Sequence, residues 1–236
     1  MKVSIIIPLR NEEDVVKKII TQLKNELKNL PYEIIFINDF STDNTSQVVK
    51  EMIKNESNIN LYNNEKKGLG GAITHGINKS TGESICIMMS DLSDSINDLN
   101  KYYNIIKNEN VDAVFGSRFI EGSKVSNYPK KKLILNRVFN LITKILFVSD
   151  YNDFTNAFKI YKKEALIKTF PLVSESFNIF LELPLKIISR KMMYKIIPIS
   201  WENRKEGNSK FDIKELRAKY LFTLIYCFLE KILLRK

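Results

Sequence analysis

Short apolar runs alternate, in the first half of the chain, with longer segments whose apolar residues recur every three or four positions. Such runs are typical of buried parallel strands, and the helical spacing between them is typical of amphipathic helices. Strands are predicted at residues 3–7, 33–37, 59–62, 85–89 and 112–115, with Pro8 ending the first. This alternation predicts an α/β fold with a mostly parallel sheet flanked by helices.

Polar clusters follow three of these runs. Asp39 comes after the second predicted strand, Asp91 after the fourth, and Arg118 after the fifth. In an open α/β sheet the ligand lies beyond the carboxyl ends of the strands, so these side chains are expected to converge on one crevice. Two carboxylates and an arginine suit a metal-bridged phosphate compound.

The second half of the chain is dominated by two long helical patterns. The first, at 133–146, follows three lysines and has one apolar and one polar face, so it either lies on an anionic membrane or packs on the core. The second, at 220–234, is apolar on nearly all sides. Because a small domain rarely exposes so much apolar area, this tail is expected to contact lipid or a second copy of the chain, as a homodimer.

Composition narrows the choice of partners. The 236 residues carry a formal net charge of +10, which favours anionic partners. The two cysteines are expected to be buried free thiols, and the single histidine makes a zinc site improbable. No apolar stretch reaches the roughly 20 residues that span a bilayer, and no secretory leader is visible. The chain is expected to be cytoplasmic and peripheral at the inner face of the membrane.

Three oxygen-bearing side chains after the fourth strand are candidates for a metal site. Asp91, Ser93 and Asp94 offer the hard oxygen ligands that Mg²⁺ or Mn²⁺ takes together with substrate phosphates. The structural alternative is that they cap the helix predicted from residue 96. For Asp91, directly at a strand end, the metal role is favoured, and for Asp94 the alternatives are balanced.

Two further segments have the composition of phosphate-binding loops. Residues 67–71 (KGLGG) resemble a phosphate-cradling turn before a helix, although a tight loop without a ligand is a serious alternative. Residues 201–210 carry two kinds of cation and a hydroxyl, and Arg grips phosphate bidentately. A solvated charged loop is the alternative there.

Six segments together resemble the motifs of family-2 glycosyltransferases of the nucleotide-diphospho-sugar type, and especially of polyprenyl-phosphate sugar transferases such as the dolichyl-phosphate mannosyltransferases. The likeness covers about residues 3–211. The segments are 8–12 (PLRNE), 38–45 (NDFSTDNT), 67–72 (KGLGGA), 116–119 (GSRF), 153–159 (DFTNAFK) and 204–210 (RKEGNSK). Their number, order and spacing make the resemblance strong, whereas each alone is modest.

The resemblance implies a GT-A-type domain at 1–211, followed by an apolar C-terminal helix at 212–236. It implies metal-assisted, inverting transfer of a sugar from a nucleotide-diphospho-sugar to a polyprenyl phosphate, with Mg²⁺ or Mn²⁺. The resemblance implies catalytic roles for Asp91, Arg118 and Asp94, and binding of the metal by Asp91 and Ser93. The residues implied to bind the nucleotide are Pro8, Arg10, Glu12, Asp39, Lys67, Gly68 and Ser90. Those implied to bind the acceptor phosphate are Arg137, Arg204, Ser209 and Lys210.

Two positions depart from the family motifs. Met89 stands where the metal motif has its first acid, and Asn38 where the Asp-Asp pair has its first. The alternatives are therefore a family-2 transferase acting on a saccharide hydroxyl, with Asp94 or Asp153 as base, and a non-catalytic relative that binds nucleotide-sugar or lipid. No nucleic-acid partner is expected, because the basic residues do not interleave with an aromatic platform.

Overall fold

The computed structural model describes residues 1–28, 30–91, 93–203 and 213–234. The strands are β1 (Val3–Leu9), β2 (Tyr32–Asn38), β3 (Ile59–Asn63), β4 (Ser84–Ile87), β5 (Ala113–Ser117), β6 (Lys124–Ser126), β7 (Lys159–Lys162), β8 (Tyr194–Pro198) and β9 (Ser200–Glu202). The helices are α1 (Glu13–Glu26), α2 (Thr45–Met52), α3 (Leu69–Lys79), α4 (Ile96–Asn108), α5 (Lys130–Phe147), α6 (Lys163–Lys168), α7 (Ile179–Ser189) and α8 (Ile213–Leu233).

Seven of these strands form one sheet in the spatial order β3-β2-β1-β4-β7-β5-β8. Strand β7 runs antiparallel to both its neighbours, and the other pairings are parallel. A second, small sheet pairs β6 with β9 in parallel. The predicted α/β fold with a mostly parallel sheet is therefore confirmed.

The core lies on both faces of the large sheet. Side chains of a strand point alternately to opposite faces, so Ile5 and Ile7 pack with α1 and α4 while Ile6 packs with α3 and α7. Every residue of β1 is buried, as expected for a central strand covered on both sides. Both cysteines, Cys86 and Cys227, are buried and free, as predicted.

Strand β1 continues through Pro8, so the prediction that proline ends it is wrong. The Val3 N–H donates to the carbonyl of Pro31, just before β2, and the Leu9 carbonyl accepts the N–H of Asp39, just after β2. The backbone groups of odd-numbered β1 residues therefore point toward β2. Pro8 is even-numbered and faces β4, whose pairing with β1 ends at Ile6. Because β1 and β4 have already separated at Pro8, the missing N–H of proline removes no hydrogen bond between these strands.

Helix α2 begins only at Thr45, after the run Ser41-Thr42-Asp43, whose residue types are favoured as helix N-caps. Ser41 and Thr42 are instead bound to Asn11: the Asn11 N–H donates to the Ser41 hydroxyl at 3.0 Å, and the Thr42 N–H donates to Asn11 Oδ1 at 2.7 Å. These bonds join the loops that follow β1 and β2. Residues that resembled a helix cap therefore serve to hold two loops of one edge together.

Helix α5 contacts the rest of the protein through a face that carries Asn140 and Thr143 together with Phe139 and Phe147. Asn140, Thr143 and Phe147 are buried, Phe139 is partly buried against the core, and Asn140 Oδ1 accepts the Phe154 N–H at 2.6 Å. The predicted apolar face points away from the core, so the alternative in which that face packs on the core is wrong. Its large apolar side chains are 37–66% exposed: Ile134, Leu135, Val138, Leu141, Ile142, Ile145 and Leu146.

Helix α8 lies beside α5 and α7 and begins earlier than the predicted residue 220. Thr223 and Cys227 are fully buried, whereas the opposite face is open: Leu221, Phe222, Ile225, Leu229, Ile232 and Leu233 are each about half exposed or more. None of the helices in the described residues is both long enough and apolar enough to cross a membrane.

Candidate active site

Four loops meet at the carboxyl-end edge of the sheet. Arg10 follows β1, Asp39 follows β2, Asp91 lies beyond β4 and Arg118 follows β5. Strands β2, β1 and β4 are direct neighbours, and β7 separates β4 from β5. The structure therefore brings these loops to the one edge where the sequence predicts a crevice.

Asp39 is buried and anchors the glycine loop, residues 66–71. Its Oδ1 accepts the Gly68 N–H and the Asn64 side-chain amide, each at 2.8 Å. Its Oδ2 lies 4.0 Å from the Arg10 guanidinium, which is about half exposed. Asp39 thus fixes the loop with one oxygen and faces a cation at the rim of the site with the other.

The glycines of this loop are required by close packing against another segment of the chain. A Cβ on Gly70 would lie 2.0 Å from the carbonyl oxygen of Ser174, and one on Gly68 would lie 2.6 Å from that of Glu175. Gly68 also has φ +116°, a conformation that side chains rarely adopt. The tight-loop interpretation accounts for these two glycines, and their use as a phosphate cradle stays a prediction.

Asp91, Ser93 and Asp94 form a short turn between β4 and α4. Asp91 Oδ1 accepts the Ser93 hydroxyl at 2.5 Å and the Ser93 N–H at 3.1 Å. The Ser93 carbonyl accepts the Glu202 N–H, and Asp94 forms a bridge with Trp201, so β9 supports the turn from behind. The two carboxylates and the hydroxyl therefore lie together on a turn that is supported by β9.

The carboxyl group of Asp94 is buried with one oxygen unpaired. Its Oδ1 has no hydrogen-bond partner, and burial raises the pKa of Asp94 to about 7, with the Asp91 charge adding to the rise. A buried polar atom without a partner points to a ligand that supplies one. Within the described residues no group of three or more His, Cys, Asp and Glu side chains is arranged to hold a metal ion alone.

Arg118, predicted to contact the reacting phosphates, is bound to Asp153. Its Nε and Nη2 donate to the two carboxylate oxygens at 2.8 and 2.7 Å, and its backbone N–H donates to Oδ2 at 2.9 Å. Burial opposes the charge, but Asp153 raises the pKa of Arg118 well above its usual range. Aromatic rings surround the guanidinium at 5.3–5.5 Å: Phe119, Tyr128 and Trp201.

Sequence analysis gave no role to Lys159, which lies beneath this ion pair. Its Nζ donates to the backbone carbonyls of Asn156 and Phe154, the latter at 3.1 Å, and burial lowers its pKa to about 7. Lys159 thus holds the loop that carries Asp153. Lys159 is the last residue of the segment 153–159 that resembles a family motif, and this position was the signal in the sequence that could have indicated a role.

Phe40 was also missed. It is 48% exposed beside Asp39, with a left-handed φ of 55°. A bulky residue rarely adopts this conformation without a constraint, and constrained residues cluster at functional sites. An exposed aromatic ring beside Asp39 is a surface on which a flat ring can stack.

The remaining predicted site residues are scattered around this edge or lie outside the description. Pro8 and Ser90 are buried, Glu12 is half-buried and Lys67 is exposed. Arg137 on α5 is exposed, with its guanidinium 4.7 Å from the centre of the Phe119 ring. The predicted acceptor residues Arg204, Ser209 and Lys210, and the domain boundary at 211, lie outside the described residues.

Comparison with solved structures identifies the fold. Glucosyl-3-phosphoglycerate synthase from Mycobacterium tuberculosis, in complex with Mn²⁺, UDP-glucose and phosphoglyceric acid, superposes with a TM-score of 0.73 over 96% of this chain and 79% of its own, at 15% identity. The same protein with Mg²⁺ and UDP gives a TM-score of 0.72 over 98% of this chain and 79% of its own, also at 15% identity. The architecture is therefore GT-A-like, and the divalent cations belong to those complexes.

Comparison with curated sequences identifies relatives. A dolichol-phosphate mannosyltransferase from Pyrococcus furiosus is 28% identical over 94% of this chain and 61% of its own length. The glycosyltransferase AglD from Haloferax volcanii is 22% identical over 90% of this chain and 35% of its own length. The chain thus spans about three fifths and about one third of these two relatives.

A family model settles the assignment. The model described as glycosyl transferase family 2 matches residues 4–170, which include the loops after β1, β2, β4 and β5 and the Asp153–Arg118 pair. These are the loops that form the candidate site. The chain belongs to glycosyl transferase family 2.

Proposed function

We propose that this enzyme transfers a sugar from a nucleotide-diphosphate donor to a polyprenyl phosphate, with inversion at the anomeric carbon. The observation that carries the proposal is the orientation of α5, whose apolar side chains are exposed next to the candidate site. The helix adjoins the site through Asn136, which donates to Tyr128 and Thr155 at 3.2 and 2.9 Å. The relative named dolichol-phosphate mannosyltransferase supports a lipid phosphate as acceptor.

Helices α5 and α8 contact each other, and their exposed apolar side chains are here together called the α5–α8 surface. A monomeric protein rarely exposes large areas of apolar surface, so the α5–α8 surface is expected to meet lipid. Lys130, Lys131 and Lys132 begin α5 and are exposed, which suits the anionic headgroups of an inner membrane face. We place the enzyme there, with residues 1–211 as the catalytic unit and 212–236 as its membrane contact. The alternative is that this surface contacts a second copy of the chain, in a homodimer formed through α8.

The donor is assigned to the loops after β1, β2 and β4. Arg10 and Lys67 are exposed cations beside the buried Asp39, and they suit the diphosphate, while Glu12 and Ser90 lie in the same loops. Asp91, Ser93 and the unpaired oxygen of Asp94 fit Mg²⁺ or Mn²⁺, which prefers few carboxylates plus phosphate oxygens. When bound, the ion neutralises the negative charge that develops on the leaving diphosphate.

The acceptor phosphate needs orientation more than activation. A phosphate monoester is already largely ionised near neutral pH, with a second pKa of about 6, so a dedicated base is unnecessary. Exposed Arg137 is the described residue best placed to bind it, with Arg204, Ser209 and Lys210 as further candidates. For Arg118, whose guanidinium is bound by Asp153, we replace the predicted direct role at the reacting groups by an indirect one, the ordering of the loop that carries Asp153.

A saccharide hydroxyl is the second candidate acceptor. Such a mechanism requires a carboxylate base, and Asp153 has both oxygens engaged by Arg118. Asp94 retains an unpaired oxygen in the site, which is the observation that favours this alternative.

The test is incubation of the purified enzyme with radiolabelled UDP-, GDP- and dTDP-sugars, polyprenyl phosphate in anionic vesicles, and Mn²⁺ or Mg²⁺. We expect label in an acid-labile, organic-extractable product. Asp91→Asn should lose this activity, whereas Asp112→Asn, at the opposite end of the sheet, should keep it. Label only in a soluble glycoside, when a saccharide acceptor is supplied, would select the second candidate.

A further inference from the structure

The position of the glycine loop depends on a segment from the second half of the chain. Gly70 donates its N–H to the Glu175 carbonyl at 3.1 Å, and Lys66 pairs with the Glu175 carboxylate at 2.9 Å. Because Gly68 and Gly70 have no room for even a Cβ against residues 174 and 175, a shift of that segment must shift the loop. The loop in turn donates to Asp39, which faces Arg10.

Residues 173–178 are themselves held by buried polar groups. The Val173 and Ser174 N–H groups donate to the Glu182 carboxylate at 2.9 and 2.8 Å, and Glu182 is paired with Lys186 of the same helix, α7. The Asn178 side-chain amide donates to the Ser174 hydroxyl at 2.9 Å. This segment is therefore fixed by hydrogen bonds, in addition to the packing of Phe177 against the core.

Helix α8 completes this set of bonds through Thr223. The Thr223 hydroxyl is fully buried, accepts the Asn178 amide at 2.8 Å and lies 3.5 Å from the Ser174 hydroxyl. On the opposite face of the helix, Leu221 and Phe222 are 56% and 59% exposed. One helix thus contributes both to the α5–α8 surface and to the support of the glycine loop.

We propose that Thr223 is a positioning residue for the donor site: through Asn178, Ser174 and the Glu175 carbonyl, the seating of α8 sets the glycine loop and with it the affinity for the donor nucleotide. The inference rests on the proposed donor role of Asp39 and Gly68. It makes α8 part of the machinery that binds the soluble substrate, in addition to its proposed contact with lipid.

The test compares Thr223→Val, which keeps the shape and removes the hydroxyl, with Thr223→Ser, which keeps the hydroxyl. We expect Thr223→Val to raise the donor KM and the dissociation constant of the matching nucleoside diphosphate by about fivefold to tenfold, with kcat little changed. Thr223→Ser should restore both constants. Thr143→Val is the matched control, because Thr143 is equally buried on α5 and its hydroxyl donates to the Phe139 carbonyl of its own helix.

Amide hydrogen exchange gives a second readout that needs no nucleotide. Thr223→Val should speed exchange of the Gly70 N–H, and Thr143→Val should not. If Thr223→Val does not fold, Ser174→Ala removes the other hydroxyl bound by Asn178 and carries the same expectation. Unchanged exchange and unchanged donor KM in the folded variant would overturn the inference. If the wild-type enzyme binds no nucleoside diphosphate, but Thr223→Val still speeds exchange of the Gly70 N–H, the result would instead count against the proposed donor site.

Discussion

Asp91 is the residue on which the proposed cation binding depends most. One of its oxygens already accepts two hydrogen bonds from Ser93, which orients the carboxylate, and Met89 leaves the turn without the first acid of the family motif. Oriented carboxylates bind a cation at less cost in side-chain entropy than free ones do.

Asp91→Asn is therefore expected to abolish the stabilisation of the enzyme by Mn²⁺ plus nucleoside diphosphate, because it removes the charge and keeps the shape. Met89→Asp, which adds a second acid, should enlarge the stabilisation, since cation affinity rises with the number of carboxylate ligands. Thermal unfolding with and without Mn²⁺ measures both. An Asp91→Asn enzyme with an undiminished metal-dependent shift would show that the ion lies elsewhere.

Single residues show where sequence reasoning reaches its limit. The placement of Asp39 and Asp91 at one edge follows from the mostly parallel sheet that the hydrophobic pattern predicts, because the carboxyl ends of parallel strands lie at the same edge. The pairing of Arg118 with Asp153 joins residues 35 positions apart, so only the folded chain reveals that the arginine is engaged. For the same reason, the contact that makes Gly70 necessary could not be predicted, because its partner is Ser174.

At the level of elements, the amino end of β2 carries a buried carboxylate that stabilises the sheet far from the site. Glu33 is 5% exposed and accepts from Ser4, Lys2 and Thr81. Burial alone would raise its pKa, but these hydrogen bonds outweigh it and lower the pKa of Glu33 from 4.5 to about 2. A group whose folded pKa is lowered stabilises the fold above its unfolded pKa and loses that effect as pH falls.

Glu33→Gln is accordingly expected to reduce the free energy of unfolding by about 2 kcal/mol at pH 7, and by progressively less as pH falls from 4.5 toward 2. Urea unfolding of both proteins at pH 7 and pH 3 measures the difference. Donor binding should be unchanged, because Glu33 lies at the opposite end of the sheet from Asp39. An equal difference at both pH values would contradict the assignment of the effect to ionised Glu33.

Elements with a clear period were predictable, and elements without one were not. Helices α1 and α4 follow directly from the spacing of their apolar residues. Helix α7 is buried on nearly all sides and contains Pro184, so it lacks the polar face that reveals a helix in sequence. The pattern of α5 predicted the helix but not its orientation, because amphipathic spacing is the same whether the apolar face meets the core or lipid.

At the level of the whole molecule, the α5–α8 surface and its flanking lysines predict binding to anionic vesicles. Each lysine near a charged membrane contributes about 1 kcal/mol, so replacing Lys130, Lys131 and Lys132 by Glu should weaken binding by about a hundredfold or more. Cosedimentation with phosphatidylserine-containing vesicles measures this. The matched control is the triple change to Glu at Lys17, Lys50 and Lys54, which are exposed lysines remote from α5.

Salt separates the two contributions to this binding. Raising the ionic strength should weaken the lysine contribution, because surface charges are screened within about 8 Å at physiological salt. The apolar contribution should persist. If vesicles do not bind at low salt and the chain is instead dimeric in solution, the surface is a subunit interface and the membrane assignment is wrong.

Helix α5 is held to the protein by buried groups that differ from its seven exposed apolar side chains, and this has a consequence for the proposed docking on a bilayer. Asn140, which accepts the Phe154 N–H, and Phe147, which packs in the core, make this attachment and are not needed for contact with lipid. The helix therefore does not have to roll over when it leaves water. We therefore expect the proposed docking to be a rigid-body event, in which the catalytic loops arrive at the bilayer already in their final arrangement.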